Sequence, residues 1–159
     1  MKREVTRKQY ALPKSEALKI IKKADYGILS TVNSLGNPCA VALNHVMVNN
    51  ETLIFHSALK GEKIENIRIN PNVTFFVVSQ AKVIAERFTT TYKSAVAHGI
   101  AEIIEDDNDE KRKYLNEIIT RFVGGKVPLE KQNDYIKKEL PNVLVIKMTI
   151  QHLTGKACP

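Results

Sequence analysis

Residues 27–57 read GILSTVNSLGNPCAVALNHVMVNNETLIFHS. Three apolar, β-branched runs, at 27–32, 39–48 and 52–57, are separated by Asn33-Ser34-Leu35-Gly36-Asn37-Pro38 and by Asn49-Asn50-Glu51. Both separators have turn composition: Gly supplies left-handed backbone, Asn bonds its own main chain, and Pro fixes φ. The stretch therefore reads as a meander of antiparallel hairpins.

Working outward, further strands are expected at 73–79, 92–105 and 143–150. The last alternates Leu144, Ile146, Met148 and Ile150 with Lys147 and Thr149. Residues 80–91 are less regular and read as a mobile loop. A helix capped by Ser15 is expected to run to Ala24, with Ala17, Leu18, Ile21 and Ala24 on one face. A second spans 61–69 and stops at Asn70-Pro71-Asn72. A third opens with Asp107 and Glu110, carries Leu115, Ile118, Ile119 and Phe122, and ends at Gly124-Gly125. A fourth is expected at 128–138. About six antiparallel strands without regular strand–helix–strand alternation imply a mainly β fold, a β-barrel with flanking helices. Ala95, Ala97, Gly99 and Ala101 form a face of small residues along one strand, which suggests close approach of a backbone, a subunit or a ligand.

The 159 residues suit one domain, 1–159, with 1–13 as an N-terminal extension. No run reaches the roughly 18 apolar residues of a membrane span, and the basic N-terminus lacks the apolar run of a secretory signal. No membrane partner and a cytoplasmic location are expected. Cys39 and Cys158 form no CxxC pair, so zinc and disulfides are not indicated. Cys39 reads as a small core residue and Cys158 as a loose terminal thiol. The net charge of +7 favours anionic partners. Its lysines and arginines are scattered, and no dense basic run marks a nucleic-acid surface.

Chemistry concentrates at Phe55-His56-Ser57-Ala58-Leu59-Lys60-Gly61-Glu62-Lys63. A strand ends in an imidazole and a hydroxyl, a glycine turn follows, and a helix opens beside a lysine. Helix N-termini bind phosphate, so Ser57 and Lys63 form a candidate cradle. The competing reading is a capped helix with a solvated lysine. His45, His56 and His98 lie on expected strands, but no carboxylate accompanies them at ligand spacing, so no metal site is expected. Neither Gly-x-Ser-x-Gly nor Gly-x-Gly-x-x-Gly occurs.

Four stretches in order carry a family resemblance. They are 27–32 with Gly36-Asn37-Pro38; Leu53 to Ala58 with Gly61-Glu62-Lys63; Asn66-Ile67-Arg68 with Asn70-Pro71-Asn72-Val73; and Tyr92 to Gly99 with Ala101-Glu102. Together they resemble the pyridoxamine 5'-phosphate oxidase-related flavoproteins, nearest the nitroimidazole-resistance-like branch. The resemblance implies an FMN-binding split β-barrel, a homodimer with flavin at the subunit interface, and a small-molecule substrate with NAD(P)H or a reductase as electron donor. It places Val41, Ala42, Leu43 and Asn44 along the flavin ring, and His56 and Ser57 at the ribityl and phosphate end. It sets Lys63 on the phosphate, with Glu62 where a second base would stand, and Tyr92 and Ser94 against the flavin from the long strand. His45 and His56 become the candidate proton donors. The chain lacks the basic C-terminal motif of true pyridoxamine phosphate oxidases. A flavin- or haem-binding protein without enzymatic activity, a deazaflavin in place of FMN, and a basic nucleic-acid-binding barrel are the alternatives.

Overall fold

The computed structural model describes residues 4–106 and 108–158. Among these, eight strands form one antiparallel sheet: β1 (Ala11–Leu12), β2 (Tyr26–Val32), β3 (Pro38–Asn44), β4 (Val46–Asn49), β5 (Thr52–Ala58), β6 (Asn72–Ile84), β7 (Thr89–Ile104) and β8 (Val143–Cys158). The path is β3-β2-β6-β7-β8-β5-β4, with β1 beside β8. Four helices flank it: α1 (Lys14–Lys23), α2 (Glu62–Ile69), α3 (Asn108–Phe122) and α4 (Leu129–Glu139).

The expected strand at 39–48 is divided at His45. Its first half pairs with β2, and its second half pairs with β5 at the far end of the path. This single run of chain thereby joins the two ends of the sheet and closes it into a split barrel. The His45 ring points inward and is 2% exposed. Its Nε2–H donates to the Ile21 carbonyl at 2.8 Å, which ties the division to the last turn of α1.

Two cores result, one on each face. Phe55, Phe75, Leu53, Ile146, Met148 and the small residues Ala95, Ala97 and Ala101 fill the interior with Ala17, Ile20 and Ile21 of α1. Ile54 and Val145 point the other way, into a second cluster with Leu115, Ile118, Ile119 and Ile136 of α3 and α4. Strand alternation explains the division, because successive side chains take opposite faces. The small-residue face of β7 therefore meets this chain's own α1 and interior, not a second subunit or a ligand. Gly99 is required for a related reason: a Cβ there would sit 2.2 Å from the Thr149 carbonyl oxygen.

Several expectations need correction. The segment at 80–91 is the outer part of a β6–β7 hairpin, paired from Gln80↔Lys93 to Ile84↔Thr89. Its tip turns through Phe88, which is 99% exposed with a left-handed φ of 48°. The last strand runs on to Cys158, paired along β7, so Cys158 is a strand residue. Ser15 lies inside α1. The extended Pro13 caps it, and its carbonyl accepts from Glu16 and Ala17 N–H. Part of the N-terminal extension joins the sheet as β1. Cys39 is only half-buried, outside the core. Asp107, expected to open α3, lies outside the described residues.

Candidate functional site

β5 delivers His56 and Ser57 to a turn at Gly61, whose φ of 139° suits glycine, and α2 begins at the next residue. Ile64 and Glu65 N–H donate back to the Gly61 carbonyl. The first helical N–H groups have no intrahelical acceptor and remain for an anion. Lys63 lies over the turn, its Nζ 4.0 Å from where a Cβ on Gly61 would be. It forms no ion pair among the described residues. A Lys ammonium above free N–H groups fits a phosphate.

Two neighbours qualify the cradle. Ser57 is buried, and its hydroxyl donates to the Ala58 carbonyl at 3.1 Å. Glu62 opens the helix with a negative charge and is held by the Cys39 thiol, 2.8 Å from its Oε1. That carboxylate pushes the thiol pKa up. Asn66 anchors α2 to the sheet by donating to Thr31 Oγ1 at 3.0 Å, with both groups buried.

Along β3 the side chains alternate. Val41 and Leu43 are half-buried against the interior cluster, while Ala42 and Asn44 are exposed. Asn44 Nδ2 donates to the Asp25 carbonyl at 2.8 Å. The β4–β5 register pairs Val46 with Ile54; continued by two residues, it sets Asn44 opposite His56. Both line one groove of about 530 Å³, walled by Leu115, Ile118 and Phe122 of α3 and Ile136 of α4. His56 is exposed at its surface edge, yet the groove walls still desolvate the ring. That burial, and then the Lys63 ammonium, lower its pKa. His56 is therefore neutral at pH 7.

His45 is not in that groove. Its ring packs 4.7 Å from Phe75, and its Nδ1 has no partner. Burial lowers its pKa. An imidazole donating through Nε2 and aromatic on both sides holds structure; it offers no open proton path.

Tyr92 and Ser94 line a different cavity of about 580 Å³, with Arg7, Phe76, Thr154 and Lys156. Lys156 Nζ stands 5.3 Å from the Tyr92 ring centre. No lining residue is common to this cavity and the groove. The candidate residues thus fall in separate places in the chain: Asn44 and His56 in the groove, Lys63 at the turn that follows β5, and Tyr92 and Ser94 in the other cavity. Lys156 escaped sequence reasoning because the strand carrying it was expected to end at Ile150. Among the described residues, no group of three or more His, Cys, Asp or Glu is placed to hold a metal. His98 bonds Thr74 Oγ1 at 2.9 Å and stacks on His152. Among the described residues, no helix is long and apolar enough to cross a membrane.

Comparison with known proteins adds the following. The family model for pyridoxamine 5'-phosphate oxidase matches residues 13–157. No curated protein matches. A protein from Bacteroides thetaiotaomicron, provisionally assigned to 5-nitroimidazole antibiotic resistance, is 28% identical with a TM-score of 0.76, over 92% of this chain and 86% of that one. An FAD- and haem-binding protein of Mycobacterium smegmatis is 19% identical, TM-score 0.73, over 91% and 71%. An FAD-binding protein of Mesorhizobium loti is 19% identical, TM-score 0.65, over 94% and 96%. The last two likenesses show the fold alone.

Proposed function

The chain belongs to the pyridoxamine 5'-phosphate oxidase family, and from that premise we propose that it is a homodimeric, cytoplasmic FMN-dependent oxidoreductase acting on a small molecule. The observation that carries this reading is the cradle at the N-terminus of α2. Free helix N–H groups, a glycine turn and the unpaired Lys63 directly follow His56 and Ser57 of β5, with Lys63 close enough to act on the His56 ring and Cys39 of β3 bonded to Glu62 at the helix start. Lys63 would hold the phosphate, and Ala42 and Asn44 would line the ring. Val41 and Leu43 contribute backbone while their side chains hold the core. FMN supplies the electron chemistry, drawing on NAD(P)H; the protein supplies placement and protons.

Each residue then has a task. Lys63 binds the anion and draws the cofactor tail to the turn. His56, neutral and at the groove mouth, would point its ring N–H at the substrate as a hydrogen-bond donor and would pass on a proton only after its other ring nitrogen has taken one from solvent, returning to the neutral ring. His45 positions the β3–β4 division through Ile21 and touches no substrate. Glu62 opposes phosphate, and its bond from Cys39 gives that carboxylate another partner. Tyr92 and Ser94 complete a site through the second copy, because their cavity shares no wall with the groove of the same protomer.

The test is the visible spectrum of purified protein, with mass analysis of whatever heat releases. A two-band flavin spectrum and released FMN are expected. A colourless protein that takes up no added FMN refutes the reading. A Soret band without flavin replaces it with haem binding. Nitro compounds with NAD(P)H are the first substrates to try, given the likeness to the Bacteroides protein. His56→Ala retaining FMN but losing turnover is the expected signature of the proton donor.

A further inference from the structure

The cofactor placement leaves most of the groove beside His56 without a task. Its volume, about 530 Å³, is that of a small-molecule site. Its walls are almost wholly apolar: Leu115, Ile118 and Ile119 from α3, Ile136 from α4, with Phe122 and Val143 beside them. Its polar groups are few and separated. Asn44 and His56 lie on the sheet side, and Lys131, Tyr135 and Glu139 on α4. Gln132 is committed elsewhere, donating to the Val127 carbonyl at 2.6 Å.

The two charges are eight residues apart on one helix, hence about 12 Å apart along its axis. Neither Lys131 nor Glu139 forms an ion pair among the described residues. A ligand of the groove therefore meets a cation near the start of α4, a carboxylate near its end, and a hydrocarbon surface between. The groove rewards a flat apolar body and a negative group near Lys131, and penalises a negative group near Glu139.

We propose that this groove is the substrate pocket and that it takes a planar, apolar aromatic molecule carrying one anionic group, held with its anion at Lys131 and its ring against Leu115, Ile118 and Phe122. The inference rests on the flavin reading for the word substrate, since it names the substrate class of that site. The pocket itself requires only the groove and its charges.

The experiment titrates 8-anilinonaphthalene-1-sulfonate, an aromatic sulfonate, into the full chain loaded with FMN. Saturable one-site fluorescence is expected, undiminished by excess FMN, with a shift of the flavin absorption bands at saturation. Lys131→Glu should weaken binding about fivefold, the size of reversing one largely solvated charge. Glu139→Gln should leave it equal or tighter. Both sites are on the helix surface, so folding is preserved; Val127→Trp, which fills the groove, should abolish binding. Equal affinity for the parent and Lys131→Glu overturns the proposal, as does absence of saturable binding. Displacement by FMN overturns it too, since the groove is then the flavin's own seat, and unmoved flavin bands overturn its place beside the flavin. Protein that holds no flavin but binds the probe with this variant pattern supports the pocket and refutes the flavin reading alone.

Discussion

Lys63→Met removes one positive charge from the cradle and keeps the length of the side chain. Lys63 has no protein carboxylate partner among the described residues, so the change should leave folding stability within about 0.5 kcal/mol. Its cost falls on a bound phosphate. A charge-assisted hydrogen bond contributes about 1.5–3 kcal/mol. Lys63 is only half-buried, which puts the expectation at the lower end, about 1.5–2 kcal/mol, or roughly 10- to 30-fold in Kd. The helix N–H groups remain, so binding is weakened and not lost. Riboflavin has the same ring without the phosphate. Quenching of flavin fluorescence would be followed on titration of FMN and riboflavin into parent and variant apoprotein. FMN should weaken by the stated factor, with riboflavin within about twofold. Equal weakening of both ligands would refute the cradle, for Lys63 would then act through the ring or the fold. Unchanged FMN affinity would refute it as well.

Other outcomes follow from the same geometry. Glu62→Gln removes the opposing charge, so FMN should bind about three- to tenfold tighter. The same change frees the Cys39 thiol, whose pKa should fall, read as alkylation rate against pH. Gly99→Ala forces a Cβ against the Thr149 carbonyl and should cost about 2–3 kcal/mol, seen as roughly 5–10 °C in Tm. The His45 and His56 pKa values are lowered in the folded chain. Their stability contribution is therefore fully present above about pH 6.5 and is lost as pH falls through the folded-state values. Tm measured from pH 8 to pH 5 should decline, and His45→Phe should flatten the decline; an unchanged slope would remove His45 from that account.

The meander was legible because its turns carry glycine, asparagine and proline at the positions that need them. Two long strands were cut short in the reading, each at a bulge. The β6–β7 register slips between Val78 and Gln80, and the β7–β8 register slips at His98/Gly99, with Gln151 as the extra residue. An extra residue reverses the in–out phase, so alternation vanishes from the sequence where the strand itself continues. Cys39 was placed in the core because its run is apolar; β3 there is an edge strand beside the opening of α2. The Lys63 cradle was legible because strand end, glycine and lysine are contiguous. The groove was not, because residues 44, 56 and 115–143 meet only after α3 and α4 fold back on the sheet. Sequence order also gave no hint that Asn44 and Tyr92 would line separate cavities.

The two clusters on opposite faces of β5 and β8 bear on which length changes this chain can survive. Ile54 and Phe55, like Val145 and Ile146, are adjacent in sequence but belong to different cores. Inserting or deleting one residue early in β5 would exchange the two sets, driving Phe55 against α3 and presenting His56 to the barrel interior. A two-residue change would restore each side chain to its own face, at the cost of a longer or shorter hairpin. Natural variants of this barrel should therefore differ in length at the β4–β5 turn, at the β6–β7 tip and between α3 and α4. Within β5 and β8 they should differ by even steps or not at all.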